Sequence, residues 1–141
     1  MSTRAHGAAE SDGYPGERFA LPESGVGSVA STGRRVSGFL LDLLVTFLIA
    51  LLFTRPQLPS QTLEVIVWAI MTVVFVGVIG STPGHAIVGV RVARVDGRAL
   101  VGLWAIPRAA LTFVLIPTVI VDADGRGLHD RLCRTIVILS R

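Results

Sequence analysis

Residues 33–53 read GRRVSGFLLDLLVTFLIALLF. From Val36 to Thr54 the chain is 19 residues of nearly unbroken apolar character. As a helix that run is about 28 Å long, enough to cross the hydrocarbon core of a bilayer. Two features interrupt the pattern: Arg34 and Arg35 stand at its start, and Asp42 lies inside it. An aspartate near the centre of a span costs roughly 2.5–3.5 kcal/mol to insert, and less nearer the interface. A carboxylate placed there needs a cationic partner, a water-filled cavity or a proton.

The segments that follow make this run one half of a hairpin. RPQLPSQ, Arg55 to Gln61, holds two prolines and reads as a short turn. TLEVIVWAIMTVVFVGVIG, Thr62 to Gly80, is a second span, which Pro83 and Gly84 of the STPG stretch terminate. Two spans joined by a short turn are antiparallel. Arg34 and Arg35 precede the first span, Arg91, Arg94 and Arg98 follow the second, and Arg55 lies between them. The positive-inside rule therefore puts the N-terminus and the 81–102 segment in the cytoplasm.

That cytoplasmic segment differs in kind. Valines at 88, 90 and 92 alternate with Gly89 and Arg91, and Asp96-Gly97 supplies a turn, so a β-hairpin over 86–102 is expected. The β-branched C-terminal stretch RTIVILSR offers a further strand to the same layer. The third apolar block, Leu103 to Val121, is long enough to span, yet it contains Arg108, Pro107 and Pro117. A plain span would carry Arg126, Arg131, Arg134 and Arg141 outside, whereas a re-entrant element keeps them in the cytoplasm. Charge favours re-entry and length favours a span. Irregular backbone at membrane depth requires protein or water beside it in either case.

Residues 1–33 are rich in Gly, Ser, Ala, Pro and charge without apolar periodicity, and are expected to form a disordered cytoplasmic tail. No apolar core of a signal peptide follows the first residues. The membrane domain is then 34–141, with helices at about 36–54, 62–80 and 103–121.

Composition agrees with this reading. Of 141 residues 51% are hydrophobic, and the mean hydropathy is +0.66, more apolar surface than a soluble domain of this size can hide. All 13 basic residues are arginine. Residues 1–33 carry two arginines against four acids, a net of −2, and the remainder carries 11 against six, a net of +5. A basic body beside a mildly acidic tail suits a membrane surface and not a nucleic-acid groove. Cys133 is the single cysteine, so an intrachain disulfide is excluded, and a small partly buried side chain is expected there.

Arg35 and Asp42 are two helical turns apart on one face, about 10.5 Å along the axis, too far for direct pairing. Arg108 is the expected cation for Asp42, and Asp130 of GLHDRL the expected partner of Arg35 near the cytoplasmic face. Two functions fit such a cluster. One is a proton or cation site, since a desolvated carboxylate can exchange protons. The other is a fixed ion-pair network that locks helix packing.

These residues resemble the RDD family of bacterial membrane proteins. An arginine at the start of the first helix (Arg35), an aspartate within it (Asp42) and a later aspartate (Asp130) match the family's defining positions. Thr82-Pro83-Gly84 matches its turn after the second helix, followed by the strand Gly89–Val92, the Asp96-Gly97 turn, Arg108, and a closing pair at Thr135 and Val137. His85 departs from the lysine that many members carry after the turn. The resemblance covers about residues 30–139. It implies a multi-pass protein of the bacterial inner membrane and raises the weight of cation/proton exchange, which has been attributed to some members.

Other motifs are weak. DADGRG at 122–127 lacks the later acidic ligands of a calcium loop and reads as a turn. Gly84 to Gly89 has the spacing of a phosphate loop without its Gly-Lys. His129-Asp130 reads as a surface polar pair; Trp68 and Trp104 fit interfacial anchors, with a position too deep for that role as the alternative for Trp68. The expected architecture is a two-helix transmembrane hairpin, a third re-entrant or spanning helical segment, and a small cytoplasmic β-layer. The expected role is proton or cation exchange, or assembly within a larger membrane complex, with no enzymatic activity, metal or cofactor. Because two or three helices cannot enclose a pathway, transport requires a homo-oligomer or a partner besides the lipid bilayer.

Overall fold

Ser31 and Ser60 begin the two long helices in the same way. In the computed structural model, which describes residues 13–54, 60–98, 100–114 and 126–141, helix α1 runs Thr32–Phe53 and helix α2 runs Gln61–Val78. The Ser31 hydroxyl accepts from the Arg34 amide at 3.4 Å, and the Ser60 hydroxyl accepts from the Leu63 amide at 3.2 Å, each closing an otherwise open first turn. Both helices are long and apolar enough to cross a membrane, with mean hydropathies of 2.5 and 1.9. Only 22% and 17% of those segments are buried inside the fold, the opposite of a soluble core helix. Leu44, Leu48, Leu52, Ile66, Ile70 and Val74 all point outward. The buried face of α1 is a stripe of small or polar residues four apart: Gly38, Asp42, Thr46 and Ala50.

Helix α3, Pro83–Val88, lies against that stripe. Thr82 caps it, Pro83 takes the first helical position where its missing N–H is harmless, and Gly89 ends it at φ 74°. Gly84 is required by closeness of approach: a Cβ there would meet the Asp42 amide nitrogen at 2.7 Å and collide with the Gly38 carbonyl. The Thr-Pro-Gly stretch is thus the start of a helix docked on α1.

Strand β1, Val90–Arg94, follows directly and pairs antiparallel with β2, Thr135–Leu139, in the register Val90↔Leu139 to Arg94↔Thr135. The C-terminal strand expected for this layer is present. The hairpin expected over 86–102 is not. Residues 86–88 belong to α3, and Asp96 closes its turn locally by pairing with Arg94 and accepting from the Arg98 amide. Beyond the turn the chain leads to a 3-10 turn at Gly102–Trp104, with Val101 sunk in the core. The sequence TIVIL wins the place beside β1 because all of Thr135–Ile138 is buried, which an alternating strand could not satisfy.

The N-terminal segment also departs from expectation. Residues 13–31 are placed, with a 3-10 turn at Glu17–Phe19 and backbone bonds from Gly27 and Ala30 to Leu139 and Val137. Val29 bridges Ile138, so β2 is flanked by β1 on one side and by residues 27–30 on the other. Ala30, Val76, Val90, Val92, Val101, Ala105 and Val137 form the core between this layer and the helices. Residues 1–12 of the expected tail lie outside the described residues, as do the 55–59 turn, Pro117 with the rest of the third block from 115, and residues 122–125 of the DADGRG stretch.

Within the third block, α4 spans Ala105–Val114, ten residues and about 15 Å. It runs antiparallel to α2: Ala105 lies by Gly77, and Phe113 meets the Trp68 ring at 6.3 Å between centroids. Trp68 lies near the middle of α2 and is buried between Phe39 and Phe113, the deeper of its two expected positions. By Arg126 the chain is back at the sheet, donating to the carbonyls of Asp130 and Thr135, and α5, Leu128–Leu132, leads into β2.

Candidate functional site

The sheet end of the helices encloses a small cavity of about 50 Å³ whose lining includes Arg35, Asp42, Thr82, His85, Arg108 and Asp130. All four charged residues expected from the sequence to form an intramembrane cluster come together here, with Thr82 of the turn motif. They divide into two groups.

The first centres on Asp130, which is fully buried. Arg108, on the first turn of α4, donates from Nη1 to Asp130 Oδ1 and, at 2.9 Å, to the Thr135 hydroxyl. That hydroxyl in turn donates to Asp130 Oδ1 at 3.0 Å. Arg35 Nη1 lies 3.5 Å from Asp130 Oδ2, an ion pair rather than a hydrogen bond, while its Nε donates to the Ala30 carbonyl at 3.0 Å. The expected Arg35–Asp130 pairing is thus present. His129 is buried too, with Nε2 3.6 Å from Asp130 Oδ2, so the expected surface polar pair is an interior one. Burial, with Arg108 and Arg35 nearby, lowers the His129 pKa to about 3, so it is neutral at physiological pH. Cys133 is buried as expected, and burial raises its thiol above the usual range.

The second group centres on Asp42. The expected Arg108 partnership does not form, because Arg108 is already committed to Asp130 and Thr135. Helix α3 supplies the partners instead. The Thr82 hydroxyl donates to Asp42 Oδ2 at 2.5 Å, and the Gly84 amide donates to Oδ1 at 2.7 Å. Thr82 Oγ1 is also 2.5 Å from His85 Nδ1, which itself lies 3.6 Å from Asp42 Oδ2. Among the described residues, His85 is the basic group within ion-pair distance of Asp42. Burial, with Arg108 and Arg35 adding repulsion, lowers the His85 pKa to about 4, so this neighbour is neutral near pH 7.

The result is a carboxylate, a hydroxyl and an imidazole in a chain at the wall of a cavity. Sequence reasoning gave Thr82 and His85 no part in it. The usable signal was the Thr-Pro-Gly stretch itself: a Thr that caps a helix and a Gly that admits close approach place both an hydroxyl and an amide against whatever helix lies opposite. Among the described residues, no group of three or more His, Cys, Asp or Glu side chains is arranged to hold a metal ion. No family model, no curated protein and no solved structure matches this chain.

Proposed function

We propose that this chain is a multi-pass protein of the bacterial inner membrane, N-terminus in the cytoplasm, that exchanges a proton or small cation at Asp42. The observation that carries the reading is the unbroken contact Asp42–Thr82–His85, with no arginine in it. A carboxylate clamped by arginine holds its charge; one held by a hydroxyl, an amide and a neutral imidazole can change protonation without leaving a buried cation unpaired. A proton taken up at His85 Nε2 makes the imidazolium, whose Nδ1–H donates to Thr82 while the Thr82 hydroxyl donates to Asp42. Moving both protons one step along the chain then protonates the carboxylate and returns a neutral imidazole with its proton on Nε2, leaving the threonine unchanged.

The path of the third apolar block supports a re-entrant element. Helix α4 reaches Trp68 at mid-depth on α2, and Arg126 is again at the sheet, so Val114 and Arg126 lie at different depths with 11 residues between them. Both termini of the domain then share the cytoplasmic side with the sheet. The outward apolar faces of α1 and α2 suit lipid, and a complete pathway calls for a second copy or a partner. The resemblance to RDD proteins points the same way.

The test is collapse of a pH gradient in proteoliposomes with Na⁺, K⁺ or Li⁺ added, for wild type and Asp42→Asn. Cation-dependent collapse in wild type alone supports exchange. No collapse in either, with both proteins folded and monodisperse, favours a second reading: an accessory or assembly subunit whose charges only fix the fold. The buried Arg35–Asp130–Arg108–Thr135 network, which ties α1, α4 and β2 together, is the observation in favour of that alternative.

A further inference from the structure

A second cavity lies across Trp68 from the charge cluster. It is a groove of about 520 Å³ between α1, α2 and α4, lined in part by Leu43, Thr46, Gln61 and Glu64. Phe39, Trp68 and Thr112 line both this groove and the smaller chamber that holds Asp42. The Trp68 ring meets Phe39 edge-on at 6.4 Å and Phe113 at 6.3 Å, so an aromatic wall stands between the two spaces.

The groove is largely apolar, but its polar groups are ordered along it. Gln61 and Glu64 sit in the first turn of α2, at the end away from the sheet. Thr46 follows, one helical turn from Asp42 on the buried stripe of α1. Thr46 is only 2% exposed, and its Oγ1 is buried without a hydrogen-bond partner. A buried hydroxyl in that state is uncommon and is ordinarily satisfied by water. At about 30 Å³ per water the groove holds several. A carboxylate at the outer end, an unsatisfied hydroxyl midway and a carboxylate beyond the wall are the groups a positive charge needs as it leaves bulk water.

We infer that this groove is a hydrated access route for a small monovalent cation, open on the side opposite the sheet, with Trp68 as the barrier between it and the Asp42 chamber. The identity of the migrating species rests on the proposed exchange role; the hydration and the barrier do not.

Thiol accessibility tests both without measuring transport. In the full-length protein with Cys133→Ala, single cysteines replace Glu64, Thr46 or Thr72, the last lining the Asp42 chamber. A cationic, membrane-impermeant methanethiosulfonate is applied to intact cells and to inside-out vesicles. The expected result is labelling of Glu64→Cys and Thr46→Cys from the same single side, and no labelling of Thr72→Cys from that side. Adding Trp68→Ala, or Trp68→Leu where alanine impairs folding, opens Thr72→Cys to the reagent. A Thr46→Cys that stays unreactive while Glu64→Cys reacts means a groove filled by an acyl chain or by protein, and overturns the route. An unreactive Glu64→Cys does the same. Thr72→Cys labelling that is indifferent to residue 68 overturns the barrier. Labelling as expected with no pH-gradient collapse would retire the exchange reading and leave the hydrated groove standing.

Discussion

Asp42 and Asp130 are both buried aspartates on the wall of one small cavity, yet they are held in opposite ways. Asp130 has two arginines and a threonine hydroxyl about it and binds β2 and α4 together, with Arg35 of α1 beside them. Asp42 has a hydroxyl, a backbone amide and a neutral imidazole, all from the start of α3. Placing a carboxylate in a low-dielectric interior therefore does not define its role; the charge of its partners does. A buried ion pair is hard to break because either survivor is left uncompensated. A carboxylate held by neutral donors can gain a proton and keep most of its contacts.

The sharpest way to break this contrast is Asp130→Asn. It strands Arg108 in the interior, and a loss of roughly 3–5 kcal/mol is expected, read as a collapse of the thermal unfolding midpoint in detergent or of folded yield. Acidification is next. The His85 pKa is lowered from 6.5 to about 4 in the fold, so between those values the unfolded chain binds a proton that the folded one refuses. Stability should be full above pH 6.5, fall as pH drops, and level off near pH 4, a loss of roughly 3 kcal/mol that His85→Gln removes. His129, lowered to about 3, adds to the decline in the same direction.

Gly84→Ala should cost about 1–3 kcal/mol by forcing α3 off α1, visible as a lower unfolding midpoint. Asp42→Asn is the smallest change in stability, about 1 kcal/mol, since an amide can still accept from Gly84 and pair with Thr82. It is also the variant expected to abolish pH-gradient collapse. Should Asp42→Asn destabilise as much as Asp130→Asn, the two carboxylates do the same job and the contrast fails.

How much of this could be read in advance follows from what periodicity encodes. The hydrophobic runs and the breaks after them marked both long helices to within a few residues, because length and apolarity are local properties. The Arg35–Asp130 pairing was legible from charge and expected depth. The partner of Asp42 was not. Heptad spacing placed Arg35 and Asp42 on one face of α1, but it carries no information on which neighbour covers that face. Arg108 was the candidate the sequence offered, and the six-residue α3 was hidden because Pro83 and Gly84 read as a break and residues 86–88 as the start of a β-hairpin. Residues 13–31 of the expected tail were misread for a related reason. Residues 27–30 have no apolar pattern of their own, and are ordered by an edge of β2 more than a hundred positions away. For Trp68 the deeper of the two positions the sequence left open is the one found, because its ring packs between Phe39 and Phe113, which lie on other helices.

The placement of β2 has a consequence for how the protein is made. Arg35 donates to the carbonyl of Val137, a residue synthesised 102 positions later, and the strand that receives residues 27–30 emerges at the same late stage. Until then α1 lacks that bond and the segment before it lacks its strand partner, while α2 and α3 have already been made. The sheet is therefore a closing clasp: its formation completes the Asp130 network and fixes the orientation of α1 in one late event. A chain cut short before residue 135 would hold both long helices yet lack Thr135 of the Asp130 network and the strand that pairs with residues 27–30.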